Sequence, residues 1–456
     1  MKLIYEGDRL VKKIIGEKRA VTDGNYRWSI FTVFHSFDGK DYLFNNFTKI
    51  CYRLEGEKLD FSEGRLFSSG EVAADETLTQ LVAEHFLVKE SADEGADYVA
   101  FCKLARAMKL KSNGFSKYTI LPTTACNARC VYCYEEGIEF VTMSDETLNK
   151  TIEFIKKSHD PNSPVGFGWF GGEPLIGEKM IDKICAALRE DGIDYKANMI
   201  SNGSLITADI IKKMKTDWHL VRMQITLDGV EEEYNARKNY IFNYESAYWH
   251  ILSRIKMINE AEIRLTIRVN VDEQNIGGVT SMVDDLKNFI PNPDLVSFDL
   301  APLFDLQSGE GGKHIWQRSF EVADEIAARG FNIASHYSVS KTKYHYCMAD
   351  SASSVVIAPD GKLYPCEHVQ AVKSLGDVWT GVTNTAYQKQ LNSFEPVSEK
   401  CKGCFSLPEC TTFSKCPNIR FDCRYASRKR MERALNRFIR HQNDVLAQSE
   451  EETIDC

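Results

Sequence analysis

A chain of 456 residues, 43% of them hydrophobic and 27% charged, has the length of about three domains, and its 28 glycines and 12 prolines exclude a collagen-like or largely disordered polymer. Its 56 basic and 65 acidic side chains leave a net charge of −9, which repels phosphate backbones and argues against a nucleic-acid partner. The amino terminus mixes charged with apolar residues, and no apolar run nears the roughly 18 residues of a membrane span. A cytoplasmic protein with no membrane partner is therefore expected, and in that reducing compartment the 14 cysteines suit metal binding or catalysis better than disulfides.

Residues 1–115 read as a small α+β domain, with a strand-like Asp41-Tyr42-Leu43-Phe44-Asn45-Asn46 and a helix-like stretch from Glu76 to His85. From residue 116 to about 335, β-rich runs alternate with amphipathic helical runs. Strands are expected near 118–124, 164–170, 195–201, 219–227, 263–271 and 295–303, each followed by a helix. The first helix starts after Ser144 as N-cap, has Asp145 and Glu146 in its first turn, and sets Leu148, Ile152 and Ile155 on one face. Such alternation implies parallel strands joined by helical crossovers, and six units predict an open, partial (β/α)6, TIM-like barrel within an α/β fold. In the fourth strand Val221, Met223, Ile225 and Leu227 alternate with Arg222, Gln224, Thr226 and Asp228. In the fifth, Ile263, Leu265, Ile267, Val269 and Val271 alternate with Arg264, Thr266, Arg268, Asn270 and Asp272. One face is apolar, for the helices, and the other polar, as a ligand-holding lumen requires.

The cysteines cluster. Cys51, Cys102 and Cys185 are scattered and read as small core residues. Directly after the first strand, Cys126, Cys130 and Cys133 form C-x3-C-x2-C on one loop. Three thiolates can hold three corners of a cubane iron–sulfur cluster and leave one iron open to substrate. A structural zinc is the alternative, but it wants four ligands and no fourth Cys or His lies nearby. Further motifs end the next strands in order: Gly171-Gly172-Glu173-Pro174, Ser201-Asn202-Gly203, Thr226-Leu227-Asp228-Gly229, and Arg268-Val269-Asn270-Val271. Residues 336–456 carry a second cluster, Cys347, Cys366, Cys401, Cys404, Cys410, Cys416 and Cys423, with Cys456 at the chain end. Its C-x2-C pair also fits a zinc ribbon. Arg424, Arg428, Lys429, Arg430, Arg433, Arg437 and Arg440 then punctuate a helix bearing Met431, Leu435, Phe438 and Ile439, either a solvated helix packed on a core or a face for an acidic peptide.

Taken together, C-x3-C-x-Tyr132-C and the four motifs resemble the radical S-adenosylmethionine (radical SAM) superfamily over about residues 116–330. The resemblance implies a [4Fe–4S] cluster on Cys126, Cys130 and Cys133. It implies a SAM site in which Gly171, Gly172, Glu173 and Pro174 meet the methionine ammonium, Asn202 and Thr226 the ribose or carboxylate, and Tyr132 and Val269 the adenine surroundings, with Ser201, Asp228, Arg268 and Asn270 alongside. Where relatives carry His-Asp-x-x-Arg, this chain reads Tyr234-Asn235-Ala236-Arg237-Lys238, so the cation on the SAM carboxylate is Lys238 or Arg237. The second cysteine cluster resembles the SPASM domain, which holds two auxiliary [4Fe–4S] clusters, making three in all. Cys347, Cys366 and Cys416 would serve the first and Cys401, Cys404, Cys410 and Cys423 the second, although x5 stands between Cys410 and Cys416 where x3 is usual.

What this implies is a radical SAM oxidoreductase acting on a peptide or protein. A flavodoxin- or ferredoxin-like donor would reduce the first cluster, and SAM would yield a 5′-deoxyadenosyl radical that abstracts a substrate hydrogen. A first auxiliary cluster with three protein ligands leaves an iron open to a substrate thiolate. The expected product is therefore a thioether cross-link in a ribosomally made precursor peptide with a leader and a Cys-containing core. Residues 1–115 would recognise the leader or merely cover an edge of the barrel. Alternatives are sulfatase-maturase-like oxidation of Cys or Ser to formylglycine with Asp228, Asp272 or Asp299 as base, carbon–carbon cross-linking, and a non-enzymatic metal- or leader-binding protein.

Overall fold

The computed structural model describes residues 1–16, 18–109, 114–303, 311–334, 337–345, 347–393, 403–409 and 423–454. The chain forms two compact units, one of Met1–Lys111, Ser335–Cys347 and Ser393–Cys456, the other of Ser112–Ala334 and Met348–Asn392. Among the described residues no helix is long and apolar enough to cross a membrane.

In the first unit Lys2–Glu6, Ile50–Arg53, Lys40–Asn45 and Thr32–Phe37 make an antiparallel sheet in that order. The expected strand at 41–46 is thus present. So is the helix, over Glu76–Ala83, where the Asp75 carboxylate accepts the Leu78 amide and so satisfies one of the helix's unpaired first-turn donors. The basic C-terminal stretch belongs to a long helix, Cys423–Ile454. Met431, Leu435 and Ile439, at i, i+4 and i+8, are buried against Ile4, Val33, Tyr42 and Phe44 of the sheet, while Arg428 and Lys429 pair with Glu432 on the exposed side. A buried ion pair in this unit has no signal in the sequence. Lys49, fully enclosed, donates to Glu409 at 2.9 Å and to Asn46 and the Ser338 carbonyl, and Glu409 also receives Lys343 at 2.8 Å.

The second unit is built on an 11-stranded sheet: β1 (Lys117–Ile120), β2 (Val165–Trp169), β3 (Tyr195–Ser201), β4 (Leu220–Thr226), β5 (Arg264–Val271), β6 (Val296–Pro302), β7 (Asn332–Ile333), β8 (Ser354–Ile357), β9 (Lys362–Tyr364), β10 (Gly376–Asp377) and β11 (Gly381–Val382). Their order is β7-β6-β5-β4-β3-β2-β1-β8-β9-β10-β11. All six expected strands are present, and β7 to β8 pair in parallel through adjacent neighbours. β9 to β11 add antiparallel edges. The sequence reading did not include β7 to β11; of these, β8 is Ser-Val-Val-Ile with every residue buried, so it carries no period-two signal.

Parallel pairing requires crossovers. They are supplied by α1 (Asp145–Ser158), α2 (Glu178–Glu190), α3 (Ala208–Thr216), α4 (Glu231–Lys238), α5 (Ala247–Glu260), α6 (Val279–Lys287) and α7 (Gly311–Ala328). α1 begins where expected: Ser144 Oγ accepts the Thr147 amide at 3.1 Å, and Leu148 and Ile155 turn inward. Ile181, Ile184 and Leu188 of α2 and Ile251, Leu252 and Ile255 of α5 are completely buried with Met223, Ile225, Leu265 and Ile267 of the strands. Each such side chain contributes on the order of 2 kcal/mol. The alternation in β4 and β5 is real: Met223, Ile225, Leu265, Ile267 and Val269 are buried, whereas Gln224, Thr226, Thr266 and Arg268 stay half-buried on the other face.

Candidate functional site

The cysteine loop leaves the carboxyl end of β1, the edge of a parallel sheet where ligands are usually held. It closes on itself through Met143 N–H to the Pro122 carbonyl at 3.0 Å and Thr124 N–H to the Val141 carbonyl at 2.9 Å. It is also fastened to the end of α4. The Arg129 amide donates to the Lys238 and Asn239 carbonyls at 3.1 and 3.0 Å, and the Val131 amide to the Arg237 carbonyl at 3.1 Å. These acceptors are the last-turn carbonyls that a helix cannot satisfy internally. Cys126 and Cys130 are half-buried and Cys133 is exposed. The Ala128 amide donates to Cys126 Sγ at 3.4 Å, and the Asn202 carboxamide lies 3.9 Å from the same sulfur. Burial pushes the Cys126 thiol up to about 11, against the pull of that amide, and raises the Cys133 thiol as well. N–H donors aimed at a buried sulfur fit a thiolate that a metal has deprotonated, so this donor set suits an iron–sulfur cluster. Among the described residues no three Cys, His, Asp or Glu side chains converge on a single ion.

The next motif braces the loop from beneath. Gly171 adopts φ +122°, and a Cβ there would lie 2.3 Å from the Thr123 carbonyl oxygen. At Gly172 a Cβ would meet the Thr124 and Ala125 oxygens at 2.4 Å. Only glycine lets the end of β2 run this close to the cysteine loop, and the Gly172 and Glu173 amides use the approach to donate to Thr123 and Ala125 carbonyls at 3.2 and 2.9 Å. Pro174 starts a short 3-10 turn. Glu173 itself is completely buried. Its carboxylate accepts from the Leu175 amide at 3.0 Å, Ser201 Oγ at 2.8 Å and the Asn202 amide at 2.8 Å, which joins β2 to the end of β3. Burial outweighs those donors and lifts its pKa to about 7.

β4 and β5 contribute a second cluster of contacts. Asp228, completely buried just past β4, receives the Asn270 amide at 2.8 Å, and its backbone oxygen receives Asn275 at 2.6 Å. The Tyr132 hydroxyl donates to Asp228. Lys238, also buried, donates to Tyr132 Oη at 2.7 Å and lies 3.3 Å from Asp228. Burial alone would depress the ammonium; Asp228, Tyr132 and Cys130 together hold it well above the ordinary lysine range. Arg237 is directed at Asp272, 2.9 Å away, through its terminal nitrogens, while its buried Nε has no hydrogen-bond partner. On the open face of the sheet, Arg268 pairs with Asp299 at 2.8 Å and reaches Asn270 Oδ1 at 3.2 Å, in the β5/β6 register that sets Arg268 opposite Asp299. Thr226 is half-buried beside it, opposite Arg268 across β4 and β5.

The structure thus gathers Cys126, Cys130, Cys133, Tyr132, Gly171, Gly172, Glu173, Ser201, Asn202, Asp228 and Lys238 into one network at the carboxyl ends of β1 to β4. It also adds residues that no motif announced. Asn127 bonds Asn202 at 2.7 Å and Ser204 at 2.8 Å, and the Tyr134 ring stacks on His368 with centroids 4.1 Å apart. Beside that stack, burial and then Glu367 push Glu135 up to about 7, and burial raises Glu367. The repeated Asn and aromatic residues around the cysteines were the available signal. Of the second cysteine cluster, Cys366 follows β9 and is half-buried, Cys404 is half-buried, and Cys347 is exposed. Cys401, Cys410 and Cys416 lie outside the described residues, as does the side chain of Cys423, which opens the long helix.

Comparison with known proteins agrees with this geometry. Residues 120–286 match the Radical SAM superfamily. The chain is 22% identical over 264 residues to a serine-type anaerobic sulfatase-maturating enzyme of Klebsiella aerogenes, a match covering 54% of this chain and 64% of that one. It is 21% identical over 319 residues to AlbA, the antilisterial bacteriocin subtilosin biosynthesis protein of Bacillus subtilis, covering 62% and 65%. The matched stretch thus spans just under two thirds of each of these relatives. Among solved structures, native anSMEcpe with bound AdoMet superposes with a TM-score of 0.55 at 17% identity, covering 72% of this chain and 100% of that one. Streptococcus suis SuiB bound to S-adenosylmethionine superposes with a TM-score of 0.50 at 18% identity, covering 89% and 99%. The chain carries a radical SAM oxidoreductase domain, related to those of the anaerobic sulfatase-maturating enzymes and of AlbA.

Proposed function

We propose that this protein is a cytoplasmic radical SAM peptide maturase that installs a thioether between a cysteine sulfur and a carbon of a ribosomally made precursor peptide. The observation that supports this most is the single hydrogen-bonded network joining the Cys126/Cys130/Cys133 loop to Gly172, Glu173, Asn202 and Asp228 at the ends of adjacent parallel strands. On this reading the three cysteines, on the loop at the carboxyl end of a partial barrel's sheet, would hold a [4Fe–4S] cluster. When bound, the reduced cluster and SAM supply a carbon-centred radical that takes a hydrogen atom from substrate.

The chain's own residues bind and orient. Glu173 would offer a buried carboxylate to the methionine ammonium, Asn202 and Thr226 would supply polar partners for ribose or carboxylate, and Tyr132 would flank adenine, whereas the Val269 side chain is enclosed in the helix-covered core. Arg268 and Asn270 face the substrate side. Cys347, Cys366 and Cys416 would hold the first auxiliary cluster of a SPASM domain, and Cys401, Cys404, Cys410 and Cys423 the second. Residues 1–115 would receive the leader, and a flavodoxin- or ferredoxin-like protein would deliver electrons. Thioether formation removes one hydrogen atom from the substrate carbon, which the SAM-derived radical would take, the thiol proton, which would pass to solvent, and one further electron, which the first auxiliary cluster would accept, so the peptide loses two hydrogens as the carbon–sulfur bond forms.

A second reading, oxidation of a protein Cys or Ser to formylglycine, draws support from the sulfatase-maturating relative. Of the three candidate bases, Asp228 is enclosed between Tyr132, Lys238 and Asn270, and Asp272 is clamped by Arg237. Asp299 is buried and paired with Arg268 at 2.8 Å. Reduced, SAM-supplied enzyme should be incubated with the product of the nearest short Cys-containing reading frame and with a sulfatase peptide bearing Cys or Ser. Loss of two hydrogens from the first peptide supports the thioether reading. Conversion of a side chain to an aldehyde in the second, with the first unchanged, supports the rival.

A further inference from the structure

We propose that the open face of the parallel sheet holds an acidic, extended segment of the peptide substrate through Lys117, Lys196, Arg222 and Arg264. This rests on the reading of the substrate as a peptide, and it adds where the substrate's carboxylates are taken: at the end of the sheet away from the cysteine loop.

Strand register brings the four cations together. Lys117 of β1 and Lys196 of β3 flank Gly166 of β2 at one level. One pleat further along, Asn198 of β3 stands beside Arg222 of β4, and Arg222 stands directly opposite Arg264 of β5. All four lie near the amino ends of their strands and are exposed. They occupy the face that the helices leave open, because their chain neighbours Tyr118, Ala197, Met223 and Leu265 point into the helix-covered core. Among the described residues none of the four has an ion-pair or side-chain hydrogen-bond partner, not even Asp194 and Glu262, two positions from Lys196 and Arg264. Like charges directly opposite on neighbouring strands repel, so the sheet carries Arg222 beside Arg264 at a cost that no carboxylate of its own offsets. The chain is acidic overall, at −9, which makes this face a local exception and not a share of a generally basic surface. Gly166 keeps the floor between the two lysines bare. A Cβ there would meet its surroundings at 3.7 and 3.8 Å, ordinary contact, so backbone crowding does not demand a glycine. The chemistry of the occupant follows from the spacing. In an extended peptide the side chains at i and i+2 share one side about 6.6 Å apart, the same step that separates the two levels of cations, so two alternate Asp or Glu residues match them. Arg264 stands six residues before Asn270 on β5, about 20 Å, which sets those acids about four to six residues from the one that reacts at the carboxyl edge.

The test uses the full-length, anaerobically reconstituted protein and two fluorescein-labelled peptides, Glu-Thr and Gln-Thr each repeated four times, with inorganic phosphate as competitor. Binding is read by fluorescence anisotropy at low ionic strength. Wild type should bind the Glu peptide, less tightly as salt rises, and the Gln peptide about tenfold more weakly or worse. Arg222→Gln/Arg264→Gln should weaken Glu-peptide binding by about fivefold or more, and so should Lys117→Gln/Lys196→Gln. Neither pair should be less stable to urea than wild type, since each removes a repulsion and no native partner. Arg437→Gln/Arg440→Gln, on the C-terminal helix, should leave binding unchanged. Wild type that does not distinguish the two peptides overturns the proposal. So does loss of binding in the C-terminal helix variant in place of the sheet variants, loss in the sheet variants only together with stability, or displacement of the Glu peptide by an equal concentration of phosphate. Each of these leaves the maturase reading intact, because that reading is decided by the mass change of the Cys-containing peptide. Glu-peptide binding that depends on the four cations, with no mass change in that peptide, keeps the site and overturns the reading.

Discussion

Gly172 illustrates how much a missing side chain can specify. A Cβ there would lie 2.4 Å from two backbone oxygens of the cysteine loop, and neither can yield without moving the loop itself. Gly172→Ala should cost about 1–3 kcal/mol of strain and displace Cys126 from its partners. Lower iron and sulfide content per folded chain would register this; wild-type content would contradict it. Glu173 makes a pH-dependent prediction. Its folded pKa, lifted by burial to about 7, lies above the ordinary 4.5, so the folded protein holds that proton more tightly than the unfolded chain. The stability it contributes is full below about 4.5 and declines as pH rises through about 7. Denaturant unfolding of SAM-free protein should therefore lose more stability between pH 5.5 and 8 in wild type than in Glu173→Gln; equal losses would contradict the assignment. A methionine ammonium at this carboxylate would favour its ionised form, so SAM affinity should rise over the same interval and stay flat in the variant. At this scale the sequence identified the cysteines, the glycines and Glu173, because each motif fixes residue type by close approach or charge. It did not reveal where Lys238 and Arg237 spend their charges. That depends on which carboxylate the fold brings near: Asp228 lies across the turn that follows β4, and Asp272 is 35 positions from Arg237, neither at a helical spacing that pairs side chains.

Elements were legible where burial is one-sided. β4 and β5 alternate because helices cover one face and the other stays polar, and α1 announced itself by its cap and its Leu148/Ile155 stripe. β8 was not legible, since a strand buried on both faces has no alternation. The long C-terminal helix was visible as an apolar stripe among arginines, and its packing partner only in the structure. The Lys49–Glu409 pair was invisible because 360 positions separate its members. It joins the Lys40–Asn45 hairpin region to the segment that carries Cys404. Lys49→Met removes one of the two cations that hold the Glu409 carboxylate and should destabilise the first unit by about 3 kcal/mol. The double variant Lys49→Met/Glu409→Gln should recover part of that loss. Urea unfolding followed by a probe in the first unit measures both, and a single variant as stable as wild type would mean that Lys343 alone suffices.

At the scale of the whole molecule, the parallel sheet explains why motifs far apart in sequence form one site: every strand from β1 to β6 delivers its carboxyl end to the same edge. The (β/α) alternation predicted this, and the match of residues 120–286 to the radical SAM superfamily falls on the strands and helices that build the edge. The central claim is that the Cys126/Cys130/Cys133 loop activates SAM. It is tested by reconstituting the full chain without oxygen, adding SAM and dithionite, and quantifying 5′-deoxyadenosine. Wild type should form it, and the triple variant Cys126→Ala/Cys130→Ala/Cys133→Ala should form none while its first unit stays folded. A wild-type preparation replete in iron and sulfide that leaves SAM uncleaved would contradict the account.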